Sequence, residues 1–250
     1  MSFTDGIFGK MESIPIEEVL KFKDPLAKFR REYKFLIPRR ILGEVLGYLA
    51  DDFYYSRSGE NSVCHYKSVY YDTDDYKFFR QHRQGKFNRI KVRTREYGNR
   101  ISSTFVECKM KVRGMRTQKD RSPIDTFAGV LDKDFIHDKL SSYGLTVDDL
   151  TKETIIRYNR IFLISKDFKR RVTLDFDIYA KNKGGGEVEI VPEYCVLEVK
   201  DHRYPKEVGA FLKRTYGIRR TGFSKYCVSL CVLNDSLKRN KWKQILKKYC

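Results

Sequence analysis

Cationic side chains occupy every second position of a predicted strand in the middle of the chain, over residues 88–97. Successive side chains of a strand point to opposite faces of a sheet, so residues two apart share a face. One face of this strand consists of Arg89, Lys91, Arg93 and Arg95. The other face carries Ile90, Val92 and Thr94. A row of fixed positive charges is the chemistry needed to bind a polyanion such as a phosphate chain.

Other predicted strands repeat this division into a charged face and an apolar face. In the predicted strand Ser103–Val112 and the residue that follows it, one face carries Glu107, Lys109, Lys111 and Arg113. A later strand places on one face Arg171, Thr173, Asp175 and Asp177. In Tyr194–Lys200 the charged residues are Glu198 and Lys200. At least four strands therefore share the pattern.

The usual meaning of such alternation is an antiparallel sheet with one face toward water. The sign of the charges argues against that interpretation here. Like charges about 5 Å apart on neighbouring strands repel by roughly 3 kcal/mol at an effective dielectric near 20, but by under about 1 kcal/mol in water. Cationic strands that face one another need a bound anion, so the pattern favours an enclosed lumen that holds a phosphate chain.

The few carboxylates on these faces are candidates for a metal site. Phosphoryl transfer uses a hard cation that bridges phosphate oxygens, and Mg²⁺ or Mn²⁺ takes carboxylates together with substrate oxygens. Glu198 is the first candidate, followed by Glu32, Glu107 and Asp175. Glu107 and Asp175 are equally well explained as structural partners of neighbouring arginines.

The elements that position these residues are mostly strands separated by hairpin-length gaps, which predicts antiparallel pairing. The predicted strands are Glu32–Ile37, Lys67–Tyr71, Asn88–Tyr97, Ser103–Val112, Ile155–Ile164, Arg171–Tyr179 and Tyr194–Lys200. Helical spacing predicts helices at 14–26, Arg39–Phe53, Tyr76–Gln84, Lys133–Tyr143, Lys206–Tyr216 and Lys225–Val232. The basic segment Lys238–Lys248 is read as a solvated tail or a last amphipathic helix.

Composition limits the class of partner and of site. The 250 residues include 51 Lys plus Arg against 33 Asp plus Glu, a formal net charge of +18, so the partners should be anionic: nucleic acid, phosphate chains or an acidic membrane surface. No signal peptide or apolar run of about 18 residues occurs, which predicts a cytoplasmic protein without a membrane span. Six cysteines without CxxC pairs predict reduced thiols, with neither structural zinc nor a disulfide framework.

Nine segments occur in the order and spacing of the VTC (vacuolar transporter chaperone) domain, which the chain resembles from about residue 30 to residue 230. They are REYKFLIP, SVYYDT, NRIKVRTREYG, FVECKMK, KDRSPI, RYNR, RRVTLDFD, CVLEVK and GFSKY. That domain is the polyphosphate polymerase branch of the triphosphate tunnel metalloenzymes. The resemblance implies an α+β fold, an antiparallel β-barrel tunnel with helices packed around the outside. It also implies transfer of the γ-phosphate of ATP to inorganic polyphosphate with Mn²⁺ or Mg²⁺.

Carried over motif by motif, the resemblance assigns the site to particular residues. The catalytic phosphate-binding set is Lys34, Lys91, Arg93, Lys109, Arg160, Arg171 and Lys225. The resemblance places the metal-binding glutamate at Glu198, and Glu32 is added as a second metal ligand because it is one of the few carboxylates among the charged residues. Further substrate contacts are expected from Lys119, from Ser224 and from Tyr158, which is suited to stack on adenine. Arg89, Lys111 and Lys200, on the same charged faces, complete the predicted substrate site.

In the wider superfamily the first strand carries the pattern ExExK. The corresponding segment here is Arg30–Lys34, in which Arg30 stands in place of the first glutamate. This loss of one metal ligand fits the VTC branch better than the triphosphatases. We find no phosphate-sensing SPX-type segment before the domain, which predicts a stand-alone form. The predicted organisation is one domain: an N-terminal helical arm at 1–29, the tunnel core at 30–233 and a basic C-terminal helix at 234–250.

Three other functions remain open at this point. A triphosphatase could use the same tunnel with water in place of the phosphate acceptor. A nucleic-acid-binding module is compatible with the net charge, although the residues that alternate with the cations are aliphatic and not aromatic. A binding-only relative would present the same phosphate ligands without turnover.

Overall fold

A single curled sheet of eleven strands forms the body of the protein, in a computed structural model that describes residues 6–22, 31–98, 104–111, 117–125, 127, 131–201 and 206–250. The strands are β1 Ser13–Pro15, β2 Arg31–Pro38, β3 Phe53–Arg57, β4 Val63–Asp72, β5 Arg89–Tyr97, β6 Thr104–Lys111, β7 Thr117–Pro123, β8 Thr151–Ser165, β9 Arg171–Asn182, β10 Glu187–Ile190 and β11 Tyr194–Asp201. The helices are α1 Ile16–Lys21, α2 Leu42–Leu49, α3 Lys77–Gln84, α4 Lys133–Ser141, α5 Lys206–Tyr216, α6 Lys225–Leu233 and α7 Lys243–Tyr249.

The strand order is β2-β11-β9-β8-β4-β5-β6-β7, and every pair along it is antiparallel. Although β2 and β6 lie far apart in this order, Glu32 of β2 and Lys109 of β6 form an ion pair of 2.7 Å. The sheet must therefore curl until its two ends face each other across an interior. This confirms the predicted antiparallel tunnel fold with helices around it.

The outer face of the sheet is apolar and covered by helices. On one side α2 and α5 pack over Phe35, Leu174 and Leu197 of β2, β9 and β11. On the other side α4 packs over β5 and β6 through Ile136 and Leu140. Because these outer positions alternate with the charged ones along each strand, covering them turns the charged faces inward.

Helix α6 lies on the inner face and fills part of the interior with apolar side chains. Its residues pack against Leu36, Ile156 and Val196, which occupy the same strand faces as the charged residues of β2, β8 and β11. The sequence KYCVSLCVL is apolar nearly all round, as expected for a helix enclosed on every side. The interior is therefore divided into an apolar part that contains α6 and an ionic part.

Several elements differ from the sequence predictions. The predicted helix at 14–26 begins with the short strand β1, and its last residues lie outside the described range. The predicted helix Arg39–Phe53 is a 3-10 turn followed by the shorter α2, and Phe53 begins β3. Strands β3, β7 and β10 were not predicted as strands; β7 is polar on both faces, so it lacks the alternation that identifies a half-buried strand.

The C-terminal segment packs against the body instead of forming a solvated tail. Trp242 and Ile245 are buried in the same cluster as α6, and the indole Nε1 of Trp242 donates to the carbonyl of Gly222 at 3.3 Å. Arg30 and Arg113 lie outside the described residues. Among the described helices, none has both the length and the apolar character needed to cross a bilayer.

Candidate functional site

The predicted site residues converge on the inner face of the sheet. Direct cross-strand partners include Lys34 with Glu198, Lys200 with Arg171, Arg160 with Asp175, Lys91 with Lys109, Lys109 with Lys119, and Arg89 with Lys111. The side chains of direct partners point to the same face. The strands thus bring the predicted cations together, and four of these six pairs join two positive charges.

Helix α6 adds two residues from the direction of the interior. Its N-cap residue Ser224 accepts a hydrogen bond from Lys91 Nζ at 3.1 Å as well as from the Cys227 amide. Lys225 extends to the Asp175 carboxylate. The apolar body of α6 fixes both residues in place, and the site is therefore built from strands on one side and a helix terminus on the other.

Glu107 is held by a rigid set of donors. Arg93 donates from Nε and Nη2 to its Oε2 at 2.8 and 2.6 Å, and Lys119 and Tyr97 donate to its Oε1 at 2.6 and 3.0 Å. Its side chain is 1% exposed. Burial alone would raise the pKa of this carboxyl, but Arg93, Arg95 and Lys119 lower the pKa far below its usual range. Glu107 is thus a structural partner of the arginines, one of the two interpretations left open by the sequence.

Asp175 has the same kind of environment. The Arg160 guanidinium forms a fork on it, from Nε to Oδ1 at 2.5 Å and from Nη2 to Oδ2 at 2.8 Å, and Lys225 adds a second cation. Burial raises its pKa, while Arg160 and Lys225 lower the pKa to about 2. With its oxygens occupied by a bidentate pair, Asp175 is also a structural partner.

The ion-pair partners of Glu198 and Glu32 within the described residues are all lysines. Lys34 and Lys200 lie 3.2 and 3.1 Å from the oxygens of Glu198, and Lys109 lies 2.7 Å from Glu32. Burial raises the pKa of both carboxyls, and the lysines lower it, to about 2 for Glu32 and well below the usual range for Glu198. Glu32 is the direct cross-strand partner of Lys200, which also contacts Glu198, so the two carboxylates lie close together.

These two carboxylates fit a divalent metal that shares its coordination with substrate. In the described part of the chain no three His, Cys, Asp or Glu side chains gather to form a complete protein cage. Mg²⁺ commonly binds one or two carboxylates and takes its remaining ligands from phosphate oxygens and water. Lysine ammoniums can move away from Glu198 and Glu32 more easily than a guanidinium fork can leave a carboxylate.

Three lysines of the site have strongly altered acidity. Burial lowers the pKa of Lys91, Lys119 and Lys225 to about 8 in each case, and neighbouring cations contribute to the decrease. Partners such as Glu107 and Asp175 only partly oppose it. Lys225, whose side chain is 13% exposed, is poorly solvated, whereas the side chain of Lys119 is 42% exposed. A bound anion would stabilise the charged form of each lysine.

Aromatic residues form a group beside the cations that the sequence reasoning mostly missed. Tyr66 stacks on Tyr158 with ring centroids 5.1 Å apart, and Lys225 Nζ lies 4.4 Å from the centroid of Tyr158. Since Tyr158 is only 3% exposed, an adenine could stack on it only by displacing a neighbour. The half-buried ring of Tyr66 is more accessible. The spacing of Tyr66, Ser68 and Tyr70 along β4, two residues apart, is the sequence pattern that could have placed both tyrosines on the inner face.

Arg95 and Tyr70 also belong to the inner face but were not among the predicted site residues. Arg95 donates from Nε to Ser68 Oγ at 3.0 Å and is 5% exposed, so it supports the wall of the tunnel. Tyr70 OH accepts from Arg93 Nη1 at 2.7 Å. Burial raises the pKa of Tyr70, but Arg93, Arg95 and Lys91 lower it to about 7.

Comparison with known proteins gives a family match and a set of structural matches, two of which are described below. The model of the VTC domain family matches residues 29–234. A putative adenylate cyclase from Bacillus halodurans is similar with a TM-score of 0.52 at 15% identity, over 78% of this chain and 93% of the other. The putative adenylyl cyclase HpAC1 from Hippeastrum, described as having a dominant triphosphatase activity, gives 0.50 at 15% identity, over 81% and 96%. A search of curated protein sequences returned no match.

Proposed function

The chain belongs to the VTC domain family, and we propose that it is a polyphosphate polymerase that transfers the γ-phosphate of ATP to a growing phosphate chain. The observation that carries the proposal is the register of the inner face, where Lys91, Lys109 and Lys119 lie side by side on three strands. Three adjacent lysines on the inner face of the sheet match a ligand that is itself a row of negative charges. A single phosphate would not need three cations in a row.

Substrate binding is assigned to the cations that surround the ionic part of the interior. The proposed phosphate-binding set is Lys34, Lys91, Arg93, Lys109, Lys119, Arg160, Arg171, Lys200 and Lys225, with Ser224 as a neutral contact. Arg93 and Arg160 are already oriented by Glu107 and Asp175, so little side-chain reorganisation is needed when phosphate binds. Such preorganised charge is the usual main source of catalysis in phosphoryl transfer.

Glu198 and Glu32 would hold the Mn²⁺ or Mg²⁺ ion, which when bound neutralises charge on the transferring phosphate. Lys34, Lys109 and Lys200, whose ammonium groups contact these carboxylates, would then turn to the phosphate oxygens. The same lysines thereby serve two states of the site, with carboxylate partners before binding and phosphate partners after it.

In the proposed reaction, a terminal oxygen of the phosphate chain forms a bond to the γ-phosphorus of ATP. The bond between that phosphorus and the β,γ-bridging oxygen breaks, and ADP leaves with the electron pair. The attacking oxygen is already anionic, so the protein does not have to remove a proton. Its contribution is to hold two polyanions in line, which the cations permit by offsetting their mutual repulsion.

A triphosphatase is the second candidate, because the similar Hippeastrum protein is described as having a dominant triphosphatase activity. Water would then replace the chain terminus as acceptor, and the same cations would bind the triphosphate. The presence of α6 in part of the interior supports this candidate, since a polymerase must also leave room for its acceptor chain.

The experiment that separates the two is incubation of the pure protein with ATP, Mn²⁺ and short-chain polyphosphate. The polymerase should yield ADP and chains that lengthen with time on a gel. A triphosphatase should yield free phosphate without longer chains, which would overturn the proposal. A parallel reaction without the primer measures hydrolysis alone, and chelation of the metal should stop either reaction.

A further inference from the structure

Two segments outside the proposed phosphate site carry a high density of positive charge. Residues 77–88, which form α3 and the turn after it, contain four Lys or Arg and no Asp or Glu. Residues 236–250, which include α7, contain six Lys or Arg and again no Asp or Glu. We call seven exposed residues of these segments the basic surface: Lys86, Phe87, Lys238, Lys241, Lys243, Lys247 and Lys248.

The two segments pack against each other, so their charges belong to one region of the molecule. The side-chain Nζ of Lys241 donates to the carbonyl of His82 in α3 at 2.6 Å. Trp242 is 1% exposed and lies against Phe79 of α3 with ring centroids 5.6 Å apart. Ile245 of α7 is buried in the same cluster. Because this apolar side of the C-terminal segment is held in the core, its lysines form a fixed surface beside α3.

Phe87 lies among these cations in the turn that joins α3 to β5. It is 61% exposed, the highest value among the large hydrophobic side chains of the described residues. The turn is sharp, because Gly85 and Asn88 on either side both have left-handed backbone conformations, with φ of +69° and +56°. An apolar ring held in water beside lysines favours a partner that has an apolar layer beneath a negatively charged one.

We propose that the basic surface binds an anionic lipid bilayer. Its lysines would lie at the lipid phosphate groups, and Phe87 would insert at the boundary between head groups and acyl chains. Lysines beside an exposed aromatic or aliphatic side chain are the combination that proteins use at this interface. The negative surface potential of such a membrane attracts each lysine that approaches it.

A nucleic acid would be attracted by the same charges but is less well matched. Surfaces that bind single strands stack successive bases on several aromatic rings along a basic groove. Phe87 is the one aromatic member of the basic surface, since the ring of Trp242 is buried. A single phenyl ring among six lysines is therefore better suited to a lipid interface than to a row of bases.

The first test is sedimentation of the protein with vesicles of phosphatidylcholine that either contain or lack phosphatidylserine. The protein should bind only the vesicles with phosphatidylserine. Phe87→Ala should weaken this binding by about ten-fold, the size expected for the loss of one inserted phenyl ring. Leu20→Ala is the matched control and should leave binding unchanged, because Leu20 is 58% exposed on α1, outside the basic surface.

The contribution of charge is measured with a double reversal, Lys238→Glu with Lys243→Glu. It should weaken binding to the same vesicles by about 30-fold or more. Lys213→Glu with Arg214→Glu changes the net charge equally on exposed positions of α5 and should change binding by less than about three-fold. Equal losses from the two double variants would show general attraction to a basic protein and would overturn the proposal.

Insertion of the ring is measured by fluorescence. The sequence contains one tryptophan, the buried Trp242, so Phe87→Trp adds an exposed reporter. Its emission should shift to shorter wavelength when phosphatidylserine vesicles are added, because the indole leaves water. Absence of this shift would contradict insertion and with it the proposal. Binding of single-stranded RNA that depends on Phe87, without binding to vesicles, would assign the basic surface to nucleic acid instead.

Discussion

The carboxylates of the tunnel fall into two pairs that differ in what holds them. Glu107 and Asp175 each receive a guanidinium through two nitrogens and one additional lysine. Glu198 and Glu32 are held by lysines alone in the described ion pairs. All four lie on the same inner face, so position alone does not separate their roles, although the side chains of Glu107 and Asp175 are 1% and 2% exposed against 13% and 32% for Glu198 and Glu32.

The difference in partners separates structure from chemistry. A guanidinium fork is planar and fixes both members of the pair, while an ammonium is a point charge on a flexible stem. The arginine-held carboxylates therefore stabilise the walls and orient Arg93 and Arg160. The lysine-held pair can exchange its partners for a metal when phosphate draws the lysines away. Three changes to the molecule test this comparison.

Glu198→Gln should have the largest effect, a decrease in metal-dependent turnover of about 10³-fold or more. The loss of one charge from a two-carboxylate metal site removes most of the electrostatic stabilisation of the transition state. Phosphate-chain binding should persist, because the lysines remain. Steady-state ADP release and calorimetric binding measure the two quantities. Glu44→Gln, on the outer helix α2, is the matched control and should keep full activity. A fully active Glu198→Gln enzyme would show that Glu198 is not a metal ligand.

Glu107→Gln should instead act on stability, lowering the free energy of unfolding by about 3 kcal/mol. The substitution leaves the buried Arg93 without its counter-ion, and breaking a buried pair on one side is strongly destabilising. Glu32→Gln should cost under about 1 kcal/mol, since exposed pairs contribute little and the side chains of Glu32 and Lys109 are 32% and 37% exposed. Urea unfolding of both variants compares them directly. Similar losses would show that the type of partner does not distinguish the two pairs.

The sequence was sufficient to place the cations and the strands that carry them. Alternation in β5 and β6 predicted a face with Lys91, Arg93 and Lys109, and the repulsion between such faces predicted an enclosed interior. These inferences succeed because a strand period of two assigns each side chain to a face before any tertiary contact is known. The α+β tunnel fold itself came from the resemblance of the motifs.

The partners of those side chains could not be predicted, because they depend on register and on curvature. The fork of Arg160 on Asp175 needs the pairing of β8 with β9, which is interrupted by an irregularity near Asn159. The pair Lys109–Glu32 forms only when the sheet curls. Helix α6 was predicted as a helix, but its uniform apolar character did not reveal that it lies inside the sheet. The enclosed position of Tyr158 follows from these contacts and not from its motif.

The last effect should come from pH, which separates lysines from arginines without any substitution. With a pKa of about 8, Lys91 is charged below that pH in the free protein and neutral above it, whereas arginines stay charged throughout. Binding an anion then requires proton uptake, so affinity for a phosphate chain should fall by up to about ten-fold per pH unit for each such lysine above about pH 8. Calorimetry from about pH 7.5 to about pH 9 measures the decrease. Lys91→Arg keeps its charge and should make the decrease less steep by the share of one lysine, because Lys119 and Lys225 still titrate near pH 8. An equally steep decrease in that variant would show that Lys91 does not contact the phosphate chain.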